Sequence, residues 1–482
     1  MKLDILSYPL CQPGNSNGCG NTGGITGFSY MDLNSNCIKE SSDRNLKNIS
    51  LKYYNNLGNL LQQTFTALNG IYHFPDTTAG IYTIEIDSTN MPFVPQCYSP
   101  GIDSSFFLTG LDTINFSLIC KPGVDVGVQS VITTGLVFPG QQHHLCVVAG
   151  DMTKWYNLNC ASGTGGTVQI TVNGPVSYMG PGMGALSPTV SGNVYTYTIA
   201  DFAGINNTTD FNLLFTTDTT AQAGDTICIN VAVTSDTLDN NMSNNNYSYC
   251  YPVINSYDPN IKEVYPVSVQ PGYDGWFTYS IHFQNTGSAP AINIRLADTL
   301  DANLDLTTFQ LINYSHFNQT TLVGNVLTFR FPGINLPDSL SNPEGSIGFV
   351  QYRIKPKPNL LAGSQIHNTA HIYFDYNPAI VTNTAESTFM ISTSVFPEAS
   401  VHSVKVYPNP FIDNATFVIQ SEKINELYSF EMMDVLGKKV YKQDGINSKT
   451  FQVPRSTLKS GIYFYKIYTS KENIGTGKVV IK

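Results

Sequence analysis

Five oxygen-bearing side chains cluster near the start of the chain: Asp32, Asn34, Asn36, Glu40 and Asp43. Oxygens at alternate positions, with more acids a few residues on, can converge on a hard cation such as Ca²⁺, helped by a backbone carbonyl. The competing expectation is an Asx-rich turn that needs no ion. Two of the first three oxygens are neutral amides, which favours the turn. Other candidates fail on spacing. His143 and His144 are adjacent, and neighbours on a strand face opposite sides. His367, His371 and Asp375 would share one face of a helix, but residues 366–376 read as an aromatic strand, along which the three spread over roughly 26 Å. Asp298, Asp301 and Asp305 with Glu344 contain the parts of a glycosidase carboxylate pair but read as solvated loop acids. Gly14 to Gly18 fits G-x-S-x-G without the strand and helix that motif requires. The glycines at 163–166 and 180–184 lack the following helix of a phosphate cradle. No catalytic set converges, so the chain is expected to be a non-enzyme that requires no cofactor, with structural Ca²⁺ at the acidic loop as the one candidate ion.

The elements that carry these residues read as strands. Charged residues are 12% of the chain and aromatics 12%, with 28 Tyr and 26 Phe. Few charges with many β-branched and aromatic residues describe sheets faced with Thr, Asn and Tyr. The expected fold class is all-β: tandem β-sandwich domains (immunoglobulin/prealbumin-like) with a small C-terminal β-sandwich. Asn69-Gly70 marks a hairpin, and Ala79-Gly80 precedes a strand at 81–86. Regularly spaced strands between 123 and 253 are the pattern of a sandwich. The expected organisation is a linker or truncated start at 1–22, modules at 23–122, 123–253 and 254–392, a linker at 393–403, and a last module at 404–482.

Charge and cysteine divide the chain. From Val401 onward there are 12 Lys and Arg against 7 Asp and Glu; the first 400 residues carry 13 against 28. An acidic body argues against nucleic-acid partners. All nine Cys lie between Cys11 and Cys250, which points to an oxidising compartment with some disulfides and at least one thiol unpaired within the chain. No run of 18 apolar residues forms a transmembrane segment. MKLDILSYPL is too short and too interrupted for a signal peptide, so the expectation is a fragment or a start that lies further upstream.

Three stretches resemble known families. Gly70-Ile71-Tyr72-His73-Phe74 and Gly80-Ile81-Tyr82-Thr83-Ile84, with the acidic loop before them, resemble the B-type prealbumin-like repeats of bacterial adhesins, over residues 24–90. Cys37 stands where those repeats have Gly. Tyr257 to Asn260 and Phe374 to Thr384 resemble an uncharacterised fibronectin-like domain found before the sorting domain of the type IX secretion system. The last 79 residues, 404–482, resemble that sorting domain itself, of type A. Tyr407-Pro408-Asn409-Pro410 opens it. Asp434 and Leu436-Gly437-Lys438 form a central turn. Gly461 and Tyr463 begin a strand, and Lys478 to Lys482 end the chain.

The last resemblance implies a protein that is secreted, or held at the outer surface of a Gram-negative bacterium. Its partners would be the type IX translocon and sorting machinery and, after cleavage, surface lipopolysaccharide. A basic face (Lys438, Lys439, Lys466, Lys478, Lys482) is expected to meet the translocon. The functional expectation is a non-catalytic adhesive or structural surface protein with a glycan or protein ligand. Alternatives are the non-catalytic tail of a larger secreted hydrolase, or a set of carbohydrate-binding modules. Asp-Thr triplets place candidate glycosylation at Thr77, Thr113, Thr226, Thr237 and Thr299, since they resemble the O-glycosylation sequon of some such exporters.

Overall fold

The computed structural model describes residues 24–75, 79–86, 91–97, 102–107, 111–135, 137–254, 259–390, 403–420, 427–435, 437–469 and 473–482. The first 22 residues, Thr77, Tyr257, the 393–402 linker and Leu436 lie outside them. The regular elements among the described residues are strands, with three short 3₁₀ turns. Two compact units result, residues 1–391 and 392–482.

Alternation explains the strands. In Gly166–Asn173, Val168, Ile170 and Val172 are buried while Gln169, Thr171 and Asn173 face outward, the period of a sheet with one face on a core. That strand lies in a five-stranded sheet with Thr189–Ser191, Val194–Ile199, Thr226–Ser235 and Asn246–Pro252. A four-stranded sheet (Val126–Gly135, Gln142–Asp151, Val176–Pro181, Leu213–Thr217) contributes to the same core, which draws on Val128, Leu145, Ile170, Phe215, Ile229 and Tyr251. This is a β-sandwich.

The parts before and after this sandwich share a sheet. Leu60–Phe65 pairs antiparallel with Gln319–Val323, in the register Thr64 to Thr321, Gln63 to Leu322 and Gln62 to Val323. The result is a nine-stranded sheet that runs from Ile380–Val381 through Ile294–Thr299 and Gln319–Val323 into Leu60–Phe65 and ends at Ile102–Phe107. Two strand edges that would otherwise be open to solvent are paired by this join. Gln63, 1% exposed, donates its side-chain amide to Ser50 Oγ at 2.7 Å and to the Phe309 carbonyl at 3.2 Å.

The intervening sandwich is tied to both neighbours. Cys120–Cys160 bonds it to the first. Gln351 Nε2 donates to the Val131 carbonyl at 3.0 Å, and Asn313 Nδ2 to Ser130 Oγ at 2.9 Å. Cys37–Cys97 and Cys228–Cys250 complete three disulfides among the described residues, and Cys146 is a free thiol.

Asn69-Gly70 corrects one expectation. It is a corner, since Ile71–Phe74 pairs with Gly24–Met31 while Leu60–Phe65 pairs elsewhere. Gly70 has φ +76°, and a Cβ there would sit 2.7 Å from the Ser29 carbonyl oxygen, so glycine is required by space and by conformation. Both conditions hold for a corner as well as for a hairpin, so the dipeptide alone does not separate them.

The C-terminal unit has its own core. Ser403–Tyr407, Asn414–Gln420 and Thr450–Pro454 form a three-stranded sheet, and Lys439–Ile446, Tyr428–Met433, Gly461–Tyr468 and Asn473–Ile481 a four-stranded one. Phe417 sits at the centre, its ring within 4.8–5.5 Å of those of Phe430, Tyr465 and Phe451.

Candidate functional site

The marked residues of the C-terminal unit converge on one end of it. The Tyr407–Pro410 turn is clipped to the last strand. Asn409 Nδ2 donates to the Lys478 carbonyl at 3.1 Å, and Val480 N donates to Asn409 Oδ1 at 2.8 Å. Phe411 continues the clip by exchanging backbone bonds with Val480 and Lys482, each 2.9 Å. At the same end Gly461 pairs with Ile481, and Met433 pairs with Phe464 just before the central turn. That turn closes through Lys438 N donating to Asp434 Oδ1 at 3.0 Å, with Gly437 at φ +79°. Tyr463 is buried and its hydroxyl donates to the Lys459 carbonyl at 2.8 Å.

Three exposed apolar residues are not among the residues singled out from the sequence. Ile462 and Phe464 are each 46% exposed on the outer face of the Gly461–Tyr468 strand, and Val435 in the adjacent turn is 67% exposed. Phe464 lies opposite Lys478. Of the predicted basic face, Lys438, Lys439, Lys478 and Lys482 are exposed and Lys466 half-buried. Lys439 bonds Glu431 at 3.0 Å; the lysine is exposed and the glutamate buried. An apolar strip flanked by lysines suits reversible contact with a protein, and it offers no group poised for bond-making.

A second feature lies in the body. A cleft of about 1390 Å³ opens where the three modules meet, and both tryptophans of the chain line it. The Arg353 guanidinium lies 4.6 Å and the Lys355 ammonium 5.1 Å from the Trp276 ring centre. Trp155 packs on Tyr314 at 5.2 Å. Arg353 Nε donates to Gln310 Oε1 at 2.8 Å.

The acidic loop folds tightly. Asp32 Oδ1 accepts from the amides of Asn34 and Ser35, and Oδ2 from that of Cys37. Asp43 accepts from Leu33 N and Glu40 N. The side-chain amides of Asn34 and Asn36 donate to Glu40. Cys37 has φ +64°, a backbone suited to glycine, and its disulfide to Cys97 fixes the loop. In type and spacing the donors suit a hard cation. The grouping of Asp32, Cys37 and Cys97 is no thiolate site, because its two sulfurs are bonded to each other.

The remaining candidates scatter. His143 is buried and His144 exposed, as alternation requires; His143 lies 3.0 Å from Tyr251 Oη. His367 Nδ1 is 3.7 Å from Glu386, while Asp375 accepts from Ile292 N and Asn293 N. Asp301 and Asp305 cap turns, and Asp298 is buried against Lys262, so no carboxylate pair forms. Thr113, Thr226, Thr237 and Thr299 are all exposed.

Comparison with known proteins gives two family matches. Residues 405–482 match the secretion system C-terminal sorting domain, and residues 258–388 match a domain of unknown function, DUF7619. No curated protein matches the chain. Among solved structures, similarity extends to the major pilin subunit BcpA of Bacillus cereus (9% identity, TM-score 0.19, 95% of each chain), and to a collagen-binding domain from a Staphylococcus aureus adhesin (13%, 0.19, 28% of this chain and 100% of that one). It also extends to the N-terminal domain of the Streptococcus gordonii adhesin Sgo0707 (12%, 0.22, 70% and 81%). Scores this low assign no module of this chain to the fold of those proteins.

Proposed function

From a chain whose residues 405–482 are a type IX secretion sorting domain, and which is therefore a secreted, cell-surface protein of a Gram-negative bacterium, we propose a non-catalytic adhesive or structural surface element. The interlocked body is its working part and the C-terminal unit its delivery signal. The observation that carries this is the convergence of the Tyr407–Pro410 turn, the Asp434–Lys438 turn and the Lys478–Lys482 strand at one end of a self-contained unit. The strip of Ile462, Phe464 and Val435 with its lysines is the docking surface for the sorting machinery. After delivery the unit is cleaved and the body is attached to surface lipopolysaccharide. Cells displaying the full chain should adhere to host or matrix surfaces more than cells lacking it; equal adherence on every surface tried would leave no adhesive role.

A carbohydrate ligand is the second reading, favoured by the cleft that holds both tryptophans. Aromatic faces stack on sugar rings, and Arg and Gln side chains bond hydroxyls. On a glycan array the full chain should bind, and Trp276→Ala should weaken binding about tenfold, a loss near 1.4 kcal/mol. For the acidic loop we propose Ca²⁺, favoured by the left-handed backbone at Cys37 and the oxygen spacing. Chelator should lower the melting temperature of the full chain and leave that of Asp32→Ala unchanged; no shift in either rejects the ion. Exposure of Thr113, Thr226, Thr237 and Thr299 supports their glycosylation, read out as excess intact mass from the native host.

A further inference from the structure

Lys262 begins the first strand of the third module, yet its side chain is 0% exposed, as is that of Asp298. Its amine contacts Asp298 Oδ2 and lies 3.2 Å from Tyr352 Oη. The same hydroxyl donates to Asp298 Oδ2 at 2.7 Å and accepts from Asn368 Nδ2 at 2.9 Å. One hydroxyl therefore bridges an amine, a carboxylate and a primary amide. Asn368 is 1% exposed and lies two residues from Ala370, the strand partner of Asp298. The site is walled by aromatic rings. Nζ lies 5.1 Å from the centre of Tyr279 and 5.6 Å from that of Tyr352, and Phe309 and Phe329 pack on Tyr352 at 5.5 and 6.1 Å.

An ion pair accounts for only part of this arrangement. Asp298 Oδ1 and Asn368 Oδ1 are buried and accept no hydrogen bond, a cost that folded proteins avoid. A carboxylic acid proton on Asp298 would give both a partner, if Oδ1 carries it toward the amide oxygen. Burial lowers the Lys262 pKa to about 8, against the opposing pull of Asp298, which brings the nucleophilic neutral amine within reach near neutral pH.

We propose that Lys262 and Asn368 become joined by an amide bond that the folded chain forms by itself, with Asp298 as the catalytic proton carrier. The ammonium of Lys262 gives one proton to the Asp298 carboxylate. The freed lone pair attacks Asn368 Cγ, whose carbonyl oxygen is polarised by the Asp298 acid. The Nζ–Cγ bond forms, a second proton passes from Nζ through Asp298 to Nδ2, and the Cγ–Nδ2 bond breaks. Ammonia leaves, taking up the remaining proton as ammonium, and Asp298 is again a carboxylate. No oxidant or co-reactant is needed.

The consequence is mechanical. Lys262 lies in the sheet of Phe277–Gln284 and Ile347–Pro356, Asn368 in that of Ala385–Phe389, and Asp298 in the nine-stranded sheet. The bond would staple the first two sheets covalently and close a loop of roughly 100 residues, which strongly restricts unfolding. It does not depend on how the protein is exported or what it binds.

The test is the intact mass of the purified full chain, reduced and denatured, followed by peptide mapping. The expected result is a chain lighter than its sequence by one ammonia and a branched peptide joining Lys262 to Asn368. Asp298→Asn and Asn368→Ala should each restore the sequence mass. The wild-type measurement needs no variant to fold. Separate unmodified peptides for Lys262 and Asn368 would overturn the proposal and leave an ion pair only. Loss of one water with Lys262 joined to Asp298 would also overturn it, by showing a different bond.

Discussion

The body and the C-terminal unit are stabilised by different means. The body carries three disulfides among its described residues, a sheet shared by modules that are not neighbours in sequence, and polar bonds from Gln63, Asn313 and Gln351 that cross module boundaries. The terminal unit has no cysteine and one aromatic core. Its formal charge is basic where the body is acidic. A part that has to last at a cell surface gains from cross-links. A part that serves as a recognition signal gains from folding on its own, and without cysteine it can form no disulfide to what precedes it.

The largest effect that would sharpen this contrast is Phe417→Ala. It removes the ring at the centre of the terminal core and should cost about 3–5 kcal/mol, enough to unfold so small a unit. Calorimetry should show the terminal transition lost and the body transition unmoved; a shift in both would mean that the two do not unfold separately. Next is the acid response of the body. Burial, and to a lesser extent His144, lower the His143 pKa from 6.5 to about 4. Below pH 6.5 the unfolded chain binds a proton that the folded chain refuses, so stability is intact above 6.5 and falls as pH drops toward 4. The loss approaches about 3 kcal/mol. His143→Gln should remove it; the same acid sensitivity in that variant would assign it elsewhere. Last is replacement of both Cys120 and Cys160 by Ser, which should cost the body about 2–3 kcal/mol and leave the terminal transition unchanged.

The strands and the terminal unit were legible because their signals are local. Alternation marks Gly166–Asn173, and a left-handed Gly437 marks the turn between Tyr428–Met433 and Lys439–Ile446. The shared nine-stranded sheet was not legible. Its join runs through Gln62, Gln63 and Thr64 against Thr321, Leu322 and Val323, residues that suit any strand edge and encode no partner. The Asn69-Gly70 corner was read as a hairpin because the dipeptide specifies a backbone conformation and says nothing of which sheet the next strand enters. Lys262 was missed for a related reason. In IKEVYP it reads as an outward residue, and only three distant strands show that its amine is enclosed. The cleft likewise needs Trp155 and Trp276 brought together from separate modules. Ile462 and Phe464 could have been found, since they alternate with Tyr463 and Tyr465 on a strand with a single buried face.

Delivery by the terminal unit is the property on which the proposed function depends. The most direct measurement fuses residues 403–482 to a periplasmic reporter in a host with a type IX secretion system, and then labels intact cells. Reporter should appear at the surface or in the medium, and should be lost from both when Ile462 and Phe464 are both replaced by Asp. Reporter kept wholly within the periplasm, with the fused unit folded, would contradict delivery by this unit.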